Sequence, residues 1–255
     1  MLSKNKIKYL RALKLKKFRQ KYNKFSVEGE KIVAEMVRSQ NVEIETIIAT
    51  KAWHQQYFNE TLARKINIEV VGLDELKKVS SLTTPSSVLA VASPINSSWH
   101  NPLIQNSFTL FLDDIQDPGN MGTMLRIADW FGIPYVFCSE GCVDVYNPKT
   151  LQSSMGAFLR VKTLTISFDD LFRRCASLPF YGTVLDGENI FQKREFQKGV
   201  IVMGNEGKGI ADDILKKLTH QVGIPKGKQG GAESLNVAVA TGIVCAILTH
   251  SASSS

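Results

Sequence analysis

The sequence predicts an α/β protein in which a small α/β domain precedes a larger domain built on a parallel sheet. From residue 108 onward, short apolar runs alternate with helical segments, which is the pattern of a parallel sheet covered by helices on both faces. Residues 94–107 are rich in Ser, Asn and Pro and show little periodicity, which predicts a linker. The predicted boundaries are therefore 1–93 for the first domain, 94–107 for the linker and 108–255 for the second domain.

The first domain is predicted to begin with two helices. Apolar residues recur at spacings of three and four from Ile7 to Phe18, and again towards Val37, with Glu28-Gly29 as a break. Three β-rich runs follow, with helical segments between them. The predicted strands are 43–49, 66–71 and 87–92, and the helical segments are 55–64 and 74–78.

In the second domain, strand 108–112 precedes helix 122–131, and strand 135–138 precedes helix 148–155. Further regular segments are predicted at 168–175, 180–184, 200–203, 211–218, 221–224 and 235–250. In parallel sheets, ligands bind outside the carboxyl ends of the strands. The loops after Leu112, Met203 and Ile224 are therefore the places where a functional site is expected.

The charge distribution favours a polyanionic partner. The chain has 255 residues with 31 Lys+Arg and 24 Asp+Glu, and ten of the basic residues fall in positions 1–24, where there is no acid. The remainder carries 21 basic against 24 acidic residues, a net charge of −3. Crowded basic groups are typical of nucleic-acid binding, although a solvated helix face would show the same charges.

Composition also excludes some classes. No run reaches the roughly 18 apolar residues of a membrane span. The four cysteines form no CxxC pair and the four histidines are scattered, so neither a metal site nor a disulfide framework is expected. The N-terminus lacks the apolar core of a secretory signal, so we expect a cytoplasmic protein, although a basic, acid-free start is also compatible with a transit peptide.

The first loop of interest runs from Asp113 to Arg126. A Pro-Gly turn follows the strand, Asn120 is placed to cap the next helix, and Arg126 lies in its second turn. A permanent cation near the carboxyl end of a strand could hold a phosphate or a developing oxyanion. The alternative is an ordinary strand-to-helix turn with an incidental surface arginine.

The second loop, Gly204-Asn205-Glu206-Gly207-Lys208-Gly209, follows an apolar strand. Three glycines in six positions allow a ligand to approach the backbone closely. The order G-x-x-G-x-G does not match the dinucleotide fingerprint, and there is no phosphate-binding GK[ST] sequence.

The third loop leads from Ile224-Pro225 into an apolar helix that begins near Leu235. Ser234 is the predicted N-cap of this helix. Asn236 is a polar amide in its first turn, which either needs partners elsewhere or is satisfied by the helix start itself.

The three loops, in this order and at these distances, resemble the signature motifs of the SpoU (TrmH-type) branch of the SPOUT methyltransferases. The matching residues are Asn120, Gly122 and Arg126; Gly204, Asn205, Glu206, Gly207 and Gly209; and Ile224, Pro225, Ser234, Leu235, Asn236 and Val237. Residues 17–29 and 84–91 resemble the substrate-binding domain often fused ahead of that family. Residues 226–233 depart from it, because they form a longer connection than usual, and Met121 replaces a commoner proline.

This resemblance implies a deep trefoil knot in the second domain, S-adenosyl-L-methionine as the cofactor and transfer of a methyl group to a ribose 2′-hydroxyl of RNA. Ribosomal RNA fits the first domain better than transfer RNA. The resemblance also implies a homodimer and no metal or membrane partner. The implied catalytic residues are Asn120, Arg126, Glu206 and Asn236. The implied cofactor-binding residues are Leu185, Gly204, Asn205, Gly207, Ile224, Ser234 and Leu235, and the implied RNA-binding residues are Lys4, Lys14, Lys17, Arg19 and Arg126.

Two other classes of function remain open at this point. A non-catalytic RNA-binding or ribosome-assembly protein would keep the basic first domain but would not need the intact loop residues. A dinucleotide-dependent oxidoreductase would require an early G-x-G-x-x-G after the first strand of the sheet, and the sequence has none there.

Overall fold

A computed structural model describes residues 1–192 and 195–251. Contacts divide the chain into two compact units, the first comprising Met1–Asn96 and Asp144–Leu159, and the second Ser97–Val143 and Arg160–Ser255. The first unit contains α1 Lys4–Ala12, α2 Lys16–Tyr22, β1 Phe25–Glu28, α3 Glu30–Arg38, β2 Ile44–Ala49, α4 Lys51–Gln56, α5 Phe58–Ala63, β3 Ile68–Val70, α6 Leu73–Lys77, β4 Val88–Ala92 and α9 Pro148–Ser154. The second contains α7 Asn101–Gln105, β5 Thr109–Leu112, α8 Pro118–Trp130, β6 Tyr135–Cys138, β7 Lys162–Thr165, α10 Phe168–Arg174, β8 Phe180–Asn189, β9 Val200–Met203, α11 Asp212–Leu215, β10 His220–Gly223 and α12 Val237–Ser251.

The first unit is built on a four-stranded sheet in the order β1-β4-β2-β3. Strand β4 pairs antiparallel with β1 and β2, whereas β2 and β3 pair in parallel. All five residues of β4 are buried, as expected for a central strand. Leu10 and Leu13 at the end of α1 join Ile48 and Leu89 in the core of this unit.

The prediction of two helices before residue 38 is wrong in one respect. Residues Phe25–Glu28 form strand β1, and helices α1, α2 and α3 lie around it. Phe25 to Val27 are buried, and the strand pairs along its length with β4. Gly29, at a φ of 122°, then turns the chain into α3. A pairing partner more than 60 residues away decides the conformation here, so helical spacing was a poor guide.

The second unit contains the parallel sheet that the sequence predicts, in the order β10-β8-β9-β5-β6-β7. Every pair of neighbouring strands in it is parallel. Strands β5, β6 and β9 are buried over all four of their residues, which makes them the centre of the sheet. The sheet adds the edge strand β7, which the sequence pattern did not reveal because its residues are half-buried or exposed.

The segment predicted as a linker contains helix α7, which begins after His100. Ile104 on this helix is buried in the core of the second unit, and Trp99 and Leu103 pack against the same core. The four cysteines are free and buried. Within the described part of the chain, no helix is long and apolar enough to cross a membrane.

Candidate functional site

The carboxyl ends of β5 and β9 lie side by side at the centre of the sheet, since Leu112 pairs with Met203. From β5 the chain continues to β6 and β7 on one side, while β9, β8 and β10 occupy the other side. This change of direction is a topological switch point, where open α/β sheets bind their ligands. The loops that follow Leu112 and Met203 meet there.

Hydrogen bonds fasten these two loops together. Asn205 Nδ2 donates to the carbonyl oxygen of Asp114 at 2.7 Å, and Asn205 Oδ1 accepts from the backbone N–H groups of Gly207 and Lys208. Asp114 has a φ of 55°, and its carboxylate accepts from Gln116 Nε2 at 2.6 Å. A single amide side chain therefore shapes its own loop and holds the neighbouring loop against it.

Glu206 projects from the glycine-rich loop towards the beginning of α8. Its carboxylate accepts hydrogen bonds from the backbone N–H groups of Gln116 and Asp117 and from Asn120 Nδ2 at 3.1 Å. Partial burial would raise the pKa of Glu206, but the hydrogen bonds, first that from Asn120, outweigh it and the pKa is lowered. Glu206 is therefore held as a carboxylate that orients Asn120.

Asn236 completes the same network from the third loop. Its Nδ2 donates to Asn120 Oδ1 at 3.0 Å, and its Oδ1 accepts from the backbone N–H groups of Ala238 and Val239. Asn236 thus both caps α12 and links it to α8. Three predicted residues from three separate loops, Asn120, Glu206 and Asn236, are joined by direct side-chain hydrogen bonds.

Two predicted helix caps are wrong. Asp117, rather than Asn120, caps α8, because Asp117 Oδ1 accepts from the backbone N–H of Asn120 at 2.9 Å. Asn236, rather than Ser234, caps α12, which begins at Val237. Each helix starts close to where the sequence indicates, but the neighbouring polar residue supplies the cap. This frees the Asn120 side chain to face Glu206 and Asn236.

Arg126 lies on α8, six residues after Asn120, and is exposed. Among the described residues its guanidinium has no hydrogen bond or ion pair. By contrast, Arg160 of the same unit is held by Asp129 in a two-nitrogen contact. An exposed guanidinium six residues beyond Asn120 on the same helix is available to an anionic ligand.

The predicted cofactor residues occupy the carboxyl edge of the same sheet. Gly204 is buried, and a Cβ at this position would collide with the backbone of Gly209 and Ile210, so only glycine fits. Leu185 in β8 is 73% exposed and Leu235 before α12 is 48% exposed, which leaves two large apolar side chains uncovered. The other predicted cofactor residues lie on the same loops, with Gly207 and Ser234 exposed and Ile224 half-buried.

The predicted RNA-binding residues of the first unit divide into two groups. Lys4 and Lys17 are exposed, and Lys14 is half-buried and donates to the carbonyl oxygen of Ser80 at 2.7 Å. Arg19 needs correction because it is only 5% exposed. Its guanidinium is bound by Asp144 at 2.6 Å and by the carbonyl oxygens of Leu13 and Lys14, so it is not accessible to a phosphate.

Sequence reasoning missed Gln116 and Gly141. Gln116 Nε2 donates to the carbonyl oxygen of Gly141 as well as to Asp114, and a Cβ on Gly141 would collide with the Asp114 carboxylate. The left-handed conformation of Asp114 and the approach of the β6 loop are products of the folded sheet. Only the unusual Asp113-Asp114 pair after a strand could have drawn attention to this place. No group of three or more His, Cys, Asp or Glu that could hold a metal is found among residues the structure describes.

The comparisons with known proteins agree with this arrangement. Residues 107–246 match the SpoU rRNA Methylase family, and residues 4–90 match the MRM3-like substrate binding domain. The chain is 31% identical over 247 residues to the 23S rRNA (guanosine(2553)-2′-O)-methyltransferase RlmP of Bacillus subtilis, covering 94% of each protein.

Solved structures show the same fold over nearly the whole chain. A protein from Porphyromonas gingivalis assigned to the TrmH family of RNA methyltransferases aligns with a TM-score of 0.82 and 35% identity, covering 97% of this chain and 98% of that one. An rRNA methyltransferase from Sinorhizobium meliloti, solved with bound AdoMet, aligns with a TM-score of 0.84 at 24% identity, covering 97% and 95%.

The fold and the site therefore define an α/β methyltransferase. The chain belongs to the SpoU rRNA methylase family. The family expected from the three loops, and with it the class of RNA methyltransferases, is confirmed.

Proposed function

We propose that this protein transfers a methyl group from S-adenosyl-L-methionine to a ribose 2′-hydroxyl of ribosomal RNA. The observation that carries the proposal is the hydrogen-bonded set Asn120, Glu206 and Asn236 at the switch point of the sheet, with Arg126 exposed on the helix that carries Asn120. The 31% identical relative from Bacillus subtilis, which is matched over 94% of both chains, acts on a 2′-hydroxyl of 23S rRNA by its name. A transfer RNA substrate is the second candidate.

The residues at this edge fit an adenosine-containing cofactor. Leu185 and Leu235 offer exposed apolar side chains to a flat ring, and the loop from Gly204 to Gly209 offers backbone groups without side chains in the way. Ile224, Ser234, Asn205 and Gly207 would contribute from the same loops. When bound, S-adenosylmethionine supplies a sulfonium-activated methyl group. The rest of the work, which is to orient the hydroxyl and stabilise charge, is left to the protein.

Arg126 is the residue that stabilises charge in this mechanism. As the ribose oxygen attacks the methyl carbon it loses its proton, and negative charge develops on it. A guanidinium keeps its own proton at neutral pH, so Arg126 holds the RNA phosphate and the developing alkoxide rather than acting as a base. The proton passes to a phosphate oxygen or to water.

Asn120, Glu206 and Asn236 act as positioning residues. Glu206 fixes the amide of Asn120 by accepting from its Nδ2, and Asn236 fixes it from the other side by donating to its Oδ1. With both ends bound, Asn120 has one orientation, and the starts of α8 and α12 keep a fixed spacing. The helix that carries Arg126 is thereby anchored to the two loops expected to hold the cofactor.

The wider organisation follows from the same proposal. Residues 1–93 would bind the RNA substrate, 94–107 would connect, and 108–255 would form the catalytic domain with a deep trefoil knot, although Asp144–Leu159 belong to the first compact unit. Matches to a substrate-binding model over 4–90 and to a methylase model over 107–246 support this division. We also propose that the active form is a cytoplasmic homodimer that needs no metal.

The test is the turnover of Arg126 variants on ribosomal RNA with tritiated S-adenosylmethionine. Arg126→Ala should lower turnover by about 100-fold or more, the usual loss when one charge-stabilising group is removed, while calorimetric affinity for S-adenosylmethionine stays unchanged. Arg126→Lys should recover only part of the turnover, because an ammonium cannot form the same two-point contact. Arg173→Ala, an exposed arginine on α10, is the matched control and should behave as wild type. Near-normal turnover of Arg126→Ala would overturn the assigned role.

A further inference from the structure

Helix α2 buries a charged side chain and leaves apolar side chains exposed, whereas an ordinary amphipathic helix does the reverse. Its buried side chain is Arg19, whereas Leu15 before it is exposed and Tyr22 at its end is 40% exposed. Phe18, between them in sequence, is half-buried. The spacing of three and four places Leu15, Phe18 and Tyr22 along one side of the helix, with Arg19 at the edge of that side. Leu15, Tyr22 and the half-buried Phe18 therefore leave apolar and aromatic surface uncovered on this helix.

The rings form an ordered group. Phe18 and Tyr22 lie nearly parallel, at 15°, with centroids 6.2 Å apart, and Tyr9 of α1 meets Tyr22 edge-on at 5.2 Å. Lys17 holds its ammonium 5.0 Å from the Phe18 ring centroid, and Lys21 holds its ammonium 5.7 Å from that of Tyr22. The ring platform, defined as Tyr9, Phe18 and Tyr22 with Lys17 and Lys21, thus combines aromatic rings with two ammonium groups.

This combination matches the chemistry of unpaired RNA. A base has two flat faces that stack on aromatic side chains, and the phosphate on each side of it carries a negative charge. The segment around the ring platform contains ten basic residues and no acid in positions 1–24. The neighbouring carboxylate Glu45 is engaged by the Tyr9 hydroxyl at 3.3 Å and by Lys24 at 3.6 Å. A protein partner fits less well, because lysines are depleted from protein interfaces.

We propose that the ring platform binds an unpaired nucleotide of the RNA substrate, with its base stacked on Tyr22 or Phe18 and the flanking phosphates held by Lys21 and Lys17. The proposal rests on the proposed function in that RNA is taken as the substrate. It adds that the RNA is recognised at a position where a base is free to leave its helix, so that a fully paired duplex binds this surface poorly.

The test uses the full-length protein and a 12-nucleotide single-stranded RNA with 2-aminopurine at its centre, compared with the same sequence as a duplex. Wild-type protein should bind the single strand more tightly than the duplex and should quench the 2-aminopurine emission. Phe18→Ala and Tyr22→Ala should each weaken binding by about tenfold and reduce the quenching, with no change in the dependence of affinity on salt. Lys17→Ala with Lys21→Ala should instead lower the slope of log affinity against log salt by about 1.4.

Leu62→Ala, which removes an exposed apolar side chain from α5, is the control and should leave binding unchanged. The proposal would be overturned if the wild type bound the single strand and the duplex equally. It would also be overturned if Tyr22→Ala and Phe18→Ala kept wild-type affinity and quenching. Methyl transfer to ribosomal RNA, measured separately, shows whether the proposed function stands. If neither the wild type nor any variant transfers methyl groups to ribosomal RNA, the proposed function is wrong, whereas the stacking result still stands.

Discussion

Glu206 shows how a single side chain sets the electrostatics of the site. Its lowered pKa means that the folded protein stabilises the carboxylate form more than the unfolded chain does. This contribution to stability is complete above the unfolded pKa of about 4.3 and is lost as the pH falls through the folded value. The charge on Glu206 therefore stabilises the fold at neutral pH and no longer does so in acid.

We expect Glu206→Gln to melt at a lower temperature than wild type at pH 7, because the Gln amide group would face three N–H donors with only one acceptor oxygen. The difference should narrow as the pH falls through the lowered pKa of Glu206, where the wild type also loses this charge. Thermal unfolding followed by circular dichroism between pH 7 and pH 3.5 measures it. A difference independent of pH would mean that the charge of Glu206 does not stabilise the fold. Glu195→Gln, which lies outside the network, is the control.

Among the secondary-structure elements of the first unit, helices α1 and α2 are held together by Arg19. Its guanidinium binds the carbonyl oxygens of Leu13 and Lys14 at the end of α1, which the helix leaves unpaired, and the carboxylate of Asp144. The Arg19 side chain is 5% exposed and that of Asp144 18%, so the loss of the arginine would leave three acceptors that are largely shielded from water without their donor.

Arg19→Met should therefore lower the free energy of unfolding by about 3 kcal/mol. The measurement is urea unfolding of the full chain. Lys17→Met, a neighbouring exposed lysine, serves as the control and should stay within about 0.5 kcal/mol of wild type. Adding Asp144→Leu to Arg19→Met should recover part of the loss, since no unpaired carboxylate then remains. Equal stability of Arg19→Met and wild type would show that α1 and α2 are held together by packing alone.

The same elements show what can be predicted from sequence. The buried strands β5, β6 and β9 and the apolar helix α12 were predictable, because continuous apolar runs reflect burial on both sides. Strand β1 was not, since its pairing with β4 is decided by residues far along the chain. The sequence predicts that Arg19 binds RNA, because residue type reveals the charge of a side chain but not its direction. The sequence predicts Asn120 and Asn236 as site residues and the structure joins their side chains by a hydrogen bond, but the capping of α8 by Asp117 instead of Asn120 depends on the folded loop geometry.

At the scale of the whole molecule, helices α8 and α12 pack side by side, and Gly242 brings α12 against Ile127. Helix α12 buries one face, which includes Ala238 and Leu248, whereas Val239 is 53% exposed. Trp130 at the end of α8 is 83% exposed. Large apolar side chains left uncovered on two adjacent helices are typical of a subunit interface, and this supports the proposed homodimer.

We expect the wild-type protein to sediment as a dimer and Val239→Glu to sediment as a monomer, because a twofold interface would place two new carboxylates in an apolar contact. Analytical ultracentrifugation over a range of protein concentrations measures this, and circular dichroism shows that the variant still folds. Leu62→Glu, which changes a leucine of similar exposure on α5, is the matched control and should remain dimeric. A monomeric wild type would exclude the dimer, whereas a dimeric Val239→Glu would exclude this surface as its interface. Dissociation without loss of S-adenosylmethionine binding would show that the cofactor site is complete within one chain, and the loss of both would show that the partner helps to form it.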